Sequence, residues 1–89
     1  GSLYYAGEWR EQQKHGQGAI YNKEEQLVYS GQFRQGKRQG KGKQYRADGT
    51  LYYDGLWRNN KKHGDGSLFA KTGEQVFSGN FREGKRVDI

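Results

Sequence analysis

The stretch Tyr5-Ala6-Gly7-Glu8-Trp9-Arg10-Glu11-Gln12-Gln13-Lys14-His15-Gly16-Gln17-Gly18 returns 48 residues later as Tyr53-Asp54-Gly55-Leu56-Trp57-Arg58-Asn59-Asn60-Lys61-Lys62-His63-Gly64-Asp65-Gly66. Halfway between them, Tyr29 to Gly42 keeps the same frame with Phe33 in place of Trp and no His. Gly7, Gly31, Gly55 and Gly79 are each 24 residues apart, as are Gly16, Gly40 and Gly64, and Gly18, Gly42 and Gly66. In this 24-residue frame all 13 aromatic residues fall at four positions, and every Gly except Gly1 falls at one of five. Internal periodicity on this scale is the signature of a repeat protein, in which stacked units bury together what none buries alone. The units are 5–28, 29–52, 53–76 and a partial 77–89, alternating in type so that the full period is 48.

Composition alone points the other way. Leu, Ile, Val and Phe make up 14 of 89 residues, below the roughly 20% at which a charged chain reads as disordered. The 13 aromatics and 15 Gly argue against disorder, which is poor in aromatics. Position within the repeat resolves the conflict in favour of a fold. No apolar run reaches membrane-spanning length, and no leader pattern is present. Gly1-Ser2 reads as a cloning scar, and 3–89 as one repeat array excised from a larger protein. The absence of Cys removes disulfides and thiolate chemistry and fits an intracellular protein. A net charge of +6 favours acidic partners.

Each unit reads as two strands. The first covers Tyr4 to Arg10 and its copies from Val28, Tyr52 and Val76, with aromatics two and four residues apart, the strand period. The second covers Gly16 to Asn22, Gly40 to Arg46 and Gly64 to Ala70. Polar connections, Glu11 to His15 among them, join the two strands as hairpins. Abundant Gly and the lack of a 3.6-residue apolar period exclude helix. The expected fold is all-β, a single-layer antiparallel meander of about seven strands in an elongated, twisted or rolled sheet. Strand spacing sets equivalent residues about 10 Å apart along a rod about 30 Å long.

Within that sheet Tyr5, Gly7 and Trp9 share a face with their copies, and a hairpin register placing Trp9 opposite Gly18 or Gly16 would lay each large ring over a glycine. Gly7, Gly16, Gly18, Gly31, Gly40, Gly42, Gly55, Gly64, Gly66 and Gly79 are then structural glycines. Tyr4, Tyr52, Tyr21, Tyr45 and Phe69 are expected on the other face.

These residues resemble the MORN (membrane occupation and recognition nexus) repeat, Tyr-x-Gly-x-Trp-x-x-Gly-x-x-His-Gly-x-Gly. Tyr5-x-Gly7-x-Trp9 with His15-Gly16-x-Gly18, and Tyr53-x-Gly55-x-Trp57 with His63-Gly64-x-Gly66, match it except at the middle Gly, which is Gln12 and Asn60 here. Gly36 and Gly84 restore that Gly in the even units, which have Phe for Trp and lose the His. The resemblance spans Tyr4 to Arg86 and implies a cytoplasmic scaffold or adaptor role, often at membranes or the cytoskeleton.

Two candidate surfaces follow. An aromatic groove of Tyr5, Trp9, Tyr29, Phe33, Tyr53, Trp57, Phe77 and Phe81 would take a peptide or helix of a partner protein. A basic edge would collect Arg10, Lys14, Arg34, Lys37, Arg38, Arg58, Lys61, Lys62, Arg82, Lys85 and Arg86, 11 of the 16 basic residues, and would attract acidic phospholipid or an acidic helix. The blander role of the same charges is to keep a flat sheet soluble. Self-association is a third expectation, because the last unit lacks its second strand and leaves the strand from Val76 to Arg82 an open edge.

Other chemistry finds no support in the spacing. His15 and His63 lie four strands, about 19 Å, apart, too far to share a metal, and read as turn residues bonded to their own backbone. No cofactor is expected. Gly36 to Gly42 lacks the spacing and the Ser or Thr of a phosphate loop. No Ser is spaced with a His and an acid for catalysis, so the module is expected to be non-enzymatic. Nucleic-acid binding is disfavoured, since the aromatics share strands with Gly rather than flanking the basic residues.

Overall fold

In the computed structural model, which describes residues 3–87, the chain forms eight strands and no helix. They are β1 (Tyr4–Arg10), β2 (Gln13–Tyr21), β3 (Leu27–Arg34), β4 (Lys37–Tyr45), β5 (Leu51–Arg58), β6 (Lys61–Phe69), β7 (Gln75–Arg82) and β8 (Lys85–Arg86). All are antiparallel in one open sheet, each paired with its neighbours in sequence. The single-layer meander is therefore as expected, with one strand more. The extra strand is β8, which covers β7 only at Phe81 and Arg82. The sheet measures 40 × 26 × 19 Å, longer than the expected rod and thicker than a flat sheet because its strands twist. The reading of Gly1-Ser2 falls outside the described residues.

The hairpins are tighter than the polar stretches suggested. The connections are the two-residue turns Glu11-Gln12, Gln35-Gly36, Asn59-Asn60 and Glu83-Gly84, with φ between 50° and 86° at all eight residues. These are turns of the I′ kind, whose twist matches that of the flanking strands. In consequence β2, β4 and β6 start three residues earlier than expected, and Lys14, Lys37, Arg38, Lys61 and Lys62 lie in strands rather than in loops. Neighbouring tips are tied together: the Gly36, Asn60 and Gly84 amides donate to the carbonyls of Lys14, Arg38 and Lys62. The opposite connections, 22–26, 46–50 and 70–74, are each closed by a backbone hydrogen bond between their end residues around a three-residue turn whose last residue, Glu25, Gly49 or Gly73, is left-handed.

Register explains the glycines. Gly7, Gly18, Gly31, Gly42, Gly55, Gly66 and Gly79 are successive direct partners, forming one row across β1 to β7. Tyr rings, not the Trp expected, lie over this row. A methyl group on Gly66 would come within 2.5 Å of the Tyr53 ring, and one on Gly18 or Gly42 would crowd the ring of Tyr5 or Tyr29 in the same way, so only hydrogen fits beneath these three Tyr. Each Tyr hydroxyl then donates to a carbonyl three residues on, Tyr29 to Gln32 at 2.9 Å and Tyr53 to Leu56 at 2.8 Å. Trp9 instead faces Lys14 within its hairpin, because β2 carries two extra residues between Gly18 and Lys14. The glycine facing a large ring is that of the preceding unit: Gly16, Gly40 and Gly64 oppose Phe33, Trp57 and Phe81.

The core is one ladder of rings. Trp9, Tyr5, Phe33, Tyr29, Trp57, Tyr53, Phe81 and Phe77 touch in that order, edge to face, with centroids 4.9 to 5.5 Å apart. Such contacts contribute about 0.5–1.5 kcal/mol each beyond burial. Ile20 and Leu68 pack against the ladder, while Gln44 takes the equivalent place between Tyr29 and Tyr53 and its Oε1 is buried without a partner. Tyr52 corrects another expectation. A one-residue bulge at its position in β5 brings it to pack against the core, away from Tyr45 and Phe69.

Candidate functional site

All eight residues of the expected groove stand on one face, but most are not available to a partner. Tyr29 and Tyr53 are fully buried, and Phe33, Trp57 and Phe81 are at most 5% exposed. They are the protein's own core. Burial pushes the Tyr29 and Tyr53 hydroxyls up to about 12. Trp9 is 59% exposed, against 5% for Trp57, because Trp57 is flanked by Tyr29 and Tyr53 whereas Trp9 meets Tyr5 alone.

The basic edge divides in two. Direct pairing of Trp9 with Lys14, Phe33 with Arg38, Trp57 with Lys62 and Phe81 with Arg86 sets these four cations on the aromatic face. Each covers rings. Lys14 lies 5.6 Å from the Tyr5 centroid, Arg38 4.5 Å from Trp57, Lys62 5.3 Å from Tyr52 and Arg86 4.1 Å from Phe77. The other seven, Arg10, Arg34, Lys37, Arg58, Lys61, Arg82 and Lys85, alternate to the opposite face and are exposed. There Arg34 opposes Lys37, Arg58 opposes Lys61 and Arg82 opposes Lys85.

Arg38 is held most firmly. Its guanidinium donates to the Asn60 carbonyl at 3.1 Å, and its amide donates to Asn60 Oδ1 at 2.8 Å. Burial lowers the Arg38 pKa, and the nearby phenol of Tyr29 opposes that shift. The Lys62 pKa is also lowered, first by burial and then by the charge of Arg38. No carboxylate forms an ion pair with Lys14, Arg38, Lys62 or Arg86 among the described residues. The acids stand elsewhere. Asp54 and Asp65 pair with Ser67 and Asn80 on the opposite face, Glu8 reaches the Gln17 amide, and the remaining described acids lie in turns and loops.

The aromatic face is hollowed into a groove of about 320 Å³ lined by Lys14, Ile20, Val28, Gly36, Arg38 and Asn60 among others. Ile20 and Asn60 escaped the sequence reading. The 24-residue spacing of Ile20, Gln44 and Leu68 was the available signal for the first, whereas the contacts of Asn60 depend on how neighbouring hairpin tips dock. His15 and His63 lie in β2 and β6 rather than in turns, and His63 Nδ1 accepts from the Glu83 amide of the next hairpin at 3.5 Å. Among the described residues no cluster of His, Asp and Glu could hold a metal ion. Nor, among the described residues, is any helix long and apolar enough to cross a membrane.

The geometry defines a class of protein, a single-layer β-hairpin repeat whose one-dimensional core carries a cationic roof. The MORN repeat model matches residues 5–20, 29–51 and 53–73, well over half of the chain, and the chain belongs to the MORN repeat family. Repeats of this family are in general interaction or membrane-associated modules. A search of curated proteins gave no match.

Proposed function

We propose that the chain is a non-catalytic interaction module that binds a partner protein along its aromatic face. One observation carries this reading: the face that holds the groove also holds four cations that have no carboxylate partner among the described residues, beside apolar surface at Ile20 and Val28. A soluble sheet that needed only solvation would keep its charges on the exposed side, where seven others already stand. Partner contact then falls on the cations and the groove rim, with the buried rings as the rigid base beneath them.

Site-specific photo-crosslinking tests this. A crosslinking residue at Val28, in the groove, should yield a discrete adduct in native lysate, and one at Lys43, exposed on the opposite face, should not. Equal adducts from both positions, or adducts from Lys43 alone, would reject the reading. The second reading is anionic-membrane binding through the opposite face, favoured by its three facing pairs of like charges, which a lipid surface would neutralise. Vesicle sedimentation abolished by Lys37→Glu with Lys61→Glu, and unaffected by Lys14→Glu, would establish that alternative.

A further inference from the structure

We propose that the partner segment is an acidic amphipathic helix lying along the sheet, across the strands, with carboxylates about seven residues apart that dock on Lys14, Arg38, Lys62 and Arg86. The inference rests on the partner-binding reading above and adds the chemistry and the pitch of the partner.

Charge comes first. Arg38 and Lys62 both lie over Trp57, at 4.5 and 5.9 Å from its centroid, so one ring carries two cations. Both are partly withdrawn from water, and each raises the free energy of the other. Burial weakens the hold of both groups on their protons, and for Lys62 the charge of Arg38 adds to the effect. A carboxylate brought between them relieves this repulsion and gains charge-assisted hydrogen bonds. Among the described residues none stands on this face. The hydrogen bond that the guanidinium donates to the Asn60 carbonyl, and its place over the Trp57 ring, hold it in position, so little freedom is lost on binding.

Pitch comes second. Lys14, Arg38, Lys62 and Arg86 follow one another at 24-residue intervals, two strands apart, which corresponds to about 10 Å along the array. Seven residues of an α-helix rise about 10.5 Å and return to nearly the same side. An extended strand turns alternate side chains away and cannot match this spacing at an odd residue interval. A helix also brings apolar side chains at i+3 and i+4 beside each acid, and these meet Ile20, Val28 and the exposed Leu3.

The test uses the 89-residue chain and designed fluorescent peptides of equal charge: a helix with Glu every seventh residue and Leu beside it, a helix with Glu every fifth, and a polyproline-type peptide with Glu every third. Anisotropy titration should show binding of the first. Lys14→Gln, Arg38→Gln and Lys62→Gln should each weaken it about tenfold. Arg38→Lys, which keeps the charge without the planar fork, should bind between the unaltered chain and Arg38→Gln, and Lys37→Gln with Lys61→Gln should leave affinity within about twofold. Melting curves identify any variant that fails to fold; should Arg38→Gln do so, Lys14→Gln and Lys62→Gln decide. Equal weakening by opposite-face variants, equal binding of the fifth-residue helix, or tighter binding of the polyproline-type peptide would each overturn the proposal. So would anionic vesicles captured through Lys14, Arg38 and Lys62. A Val28 crosslink to a partner segment without recurrent acids would overturn this inference while leaving the partner-binding reading intact.

Discussion

Gly42 and Gly36 show two separate uses of glycine at the residue scale. Gly42 lies under Tyr29, and a methyl group there would stand 2.5 Å from the ring. The ring cannot yield without breaking its hydrogen bond to Gln32 and its contacts with Phe33 and Trp57. Gly42→Ala should therefore destabilise the protein by about 2–3 kcal/mol. Gly36 has φ +81° in a hairpin tip with open space around it, and Asn60 occupies the same place in the next hairpin with φ 70°. Gly36→Asn should be neutral within about 0.5 kcal/mol. Urea midpoints of the two variants measure the difference; equal midpoints would refute the account of the glycine row. The repeat made both glycines visible in the sequence. Their separate reasons were not, because one depends on a ring from the same face and the other on backbone twist.

The hairpin is the element, and its tip is where local preference and fold disagree. Glu11, Gln12, Gln35 and Glu83 hold left-handed backbone that side-chain-bearing residues other than Asn and Asp seldom adopt. Cross-strand pairs such as Trp9 with Lys14 and Phe33 with Arg38 are strong enough to impose it. Gln12→Gly, which places in the first hairpin the residue that Gly36 and Gly84 supply in others, should raise stability by roughly 1 kcal/mol. A melting temperature unchanged or lowered would count against the turn assignment. The sequence concealed these tips because Glu11 to His15 reads as one five-residue polar loop. Polarity marks a stretch as solvated, whereas the twist of adjoining strands decides that only two residues turn.

At the scale of the whole molecule the core is a line, so position along it sets stability. Inner rings have neighbours on both sides, as Trp57 has Tyr29 and Tyr53, while Trp9 has Tyr5 alone. Trp57→Ala should cost about 3–5 kcal/mol and Trp9→Ala well under half of that, compared by urea unfolding. Similar losses would show that the ladder does not act as a one-dimensional core. The same geometry separates residues that stand together in the sequence. Alternation along a strand places Lys37 and Lys61 on one face and Arg38 and Lys62 on the other, so a cluster of basic residues in the sequence becomes two surfaces with different chemistry.

By itself the sequence determined the repeat, its 24-residue period, the all-β meander and the glycine-aromatic logic, because each follows from residues recurring at fixed spacing. Only the tertiary structure decided which ring covers which glycine, which cations roof the ladder and which face is left to offer a partner. The reason is register. Two extra residues in each of β2, β4 and β6, and a one-residue bulge in each of β3, β5 and β7 at Val28, Tyr52 and Val76, set the register, and both arise from hydrogen-bond pairing between strands rather than from the composition of either strand.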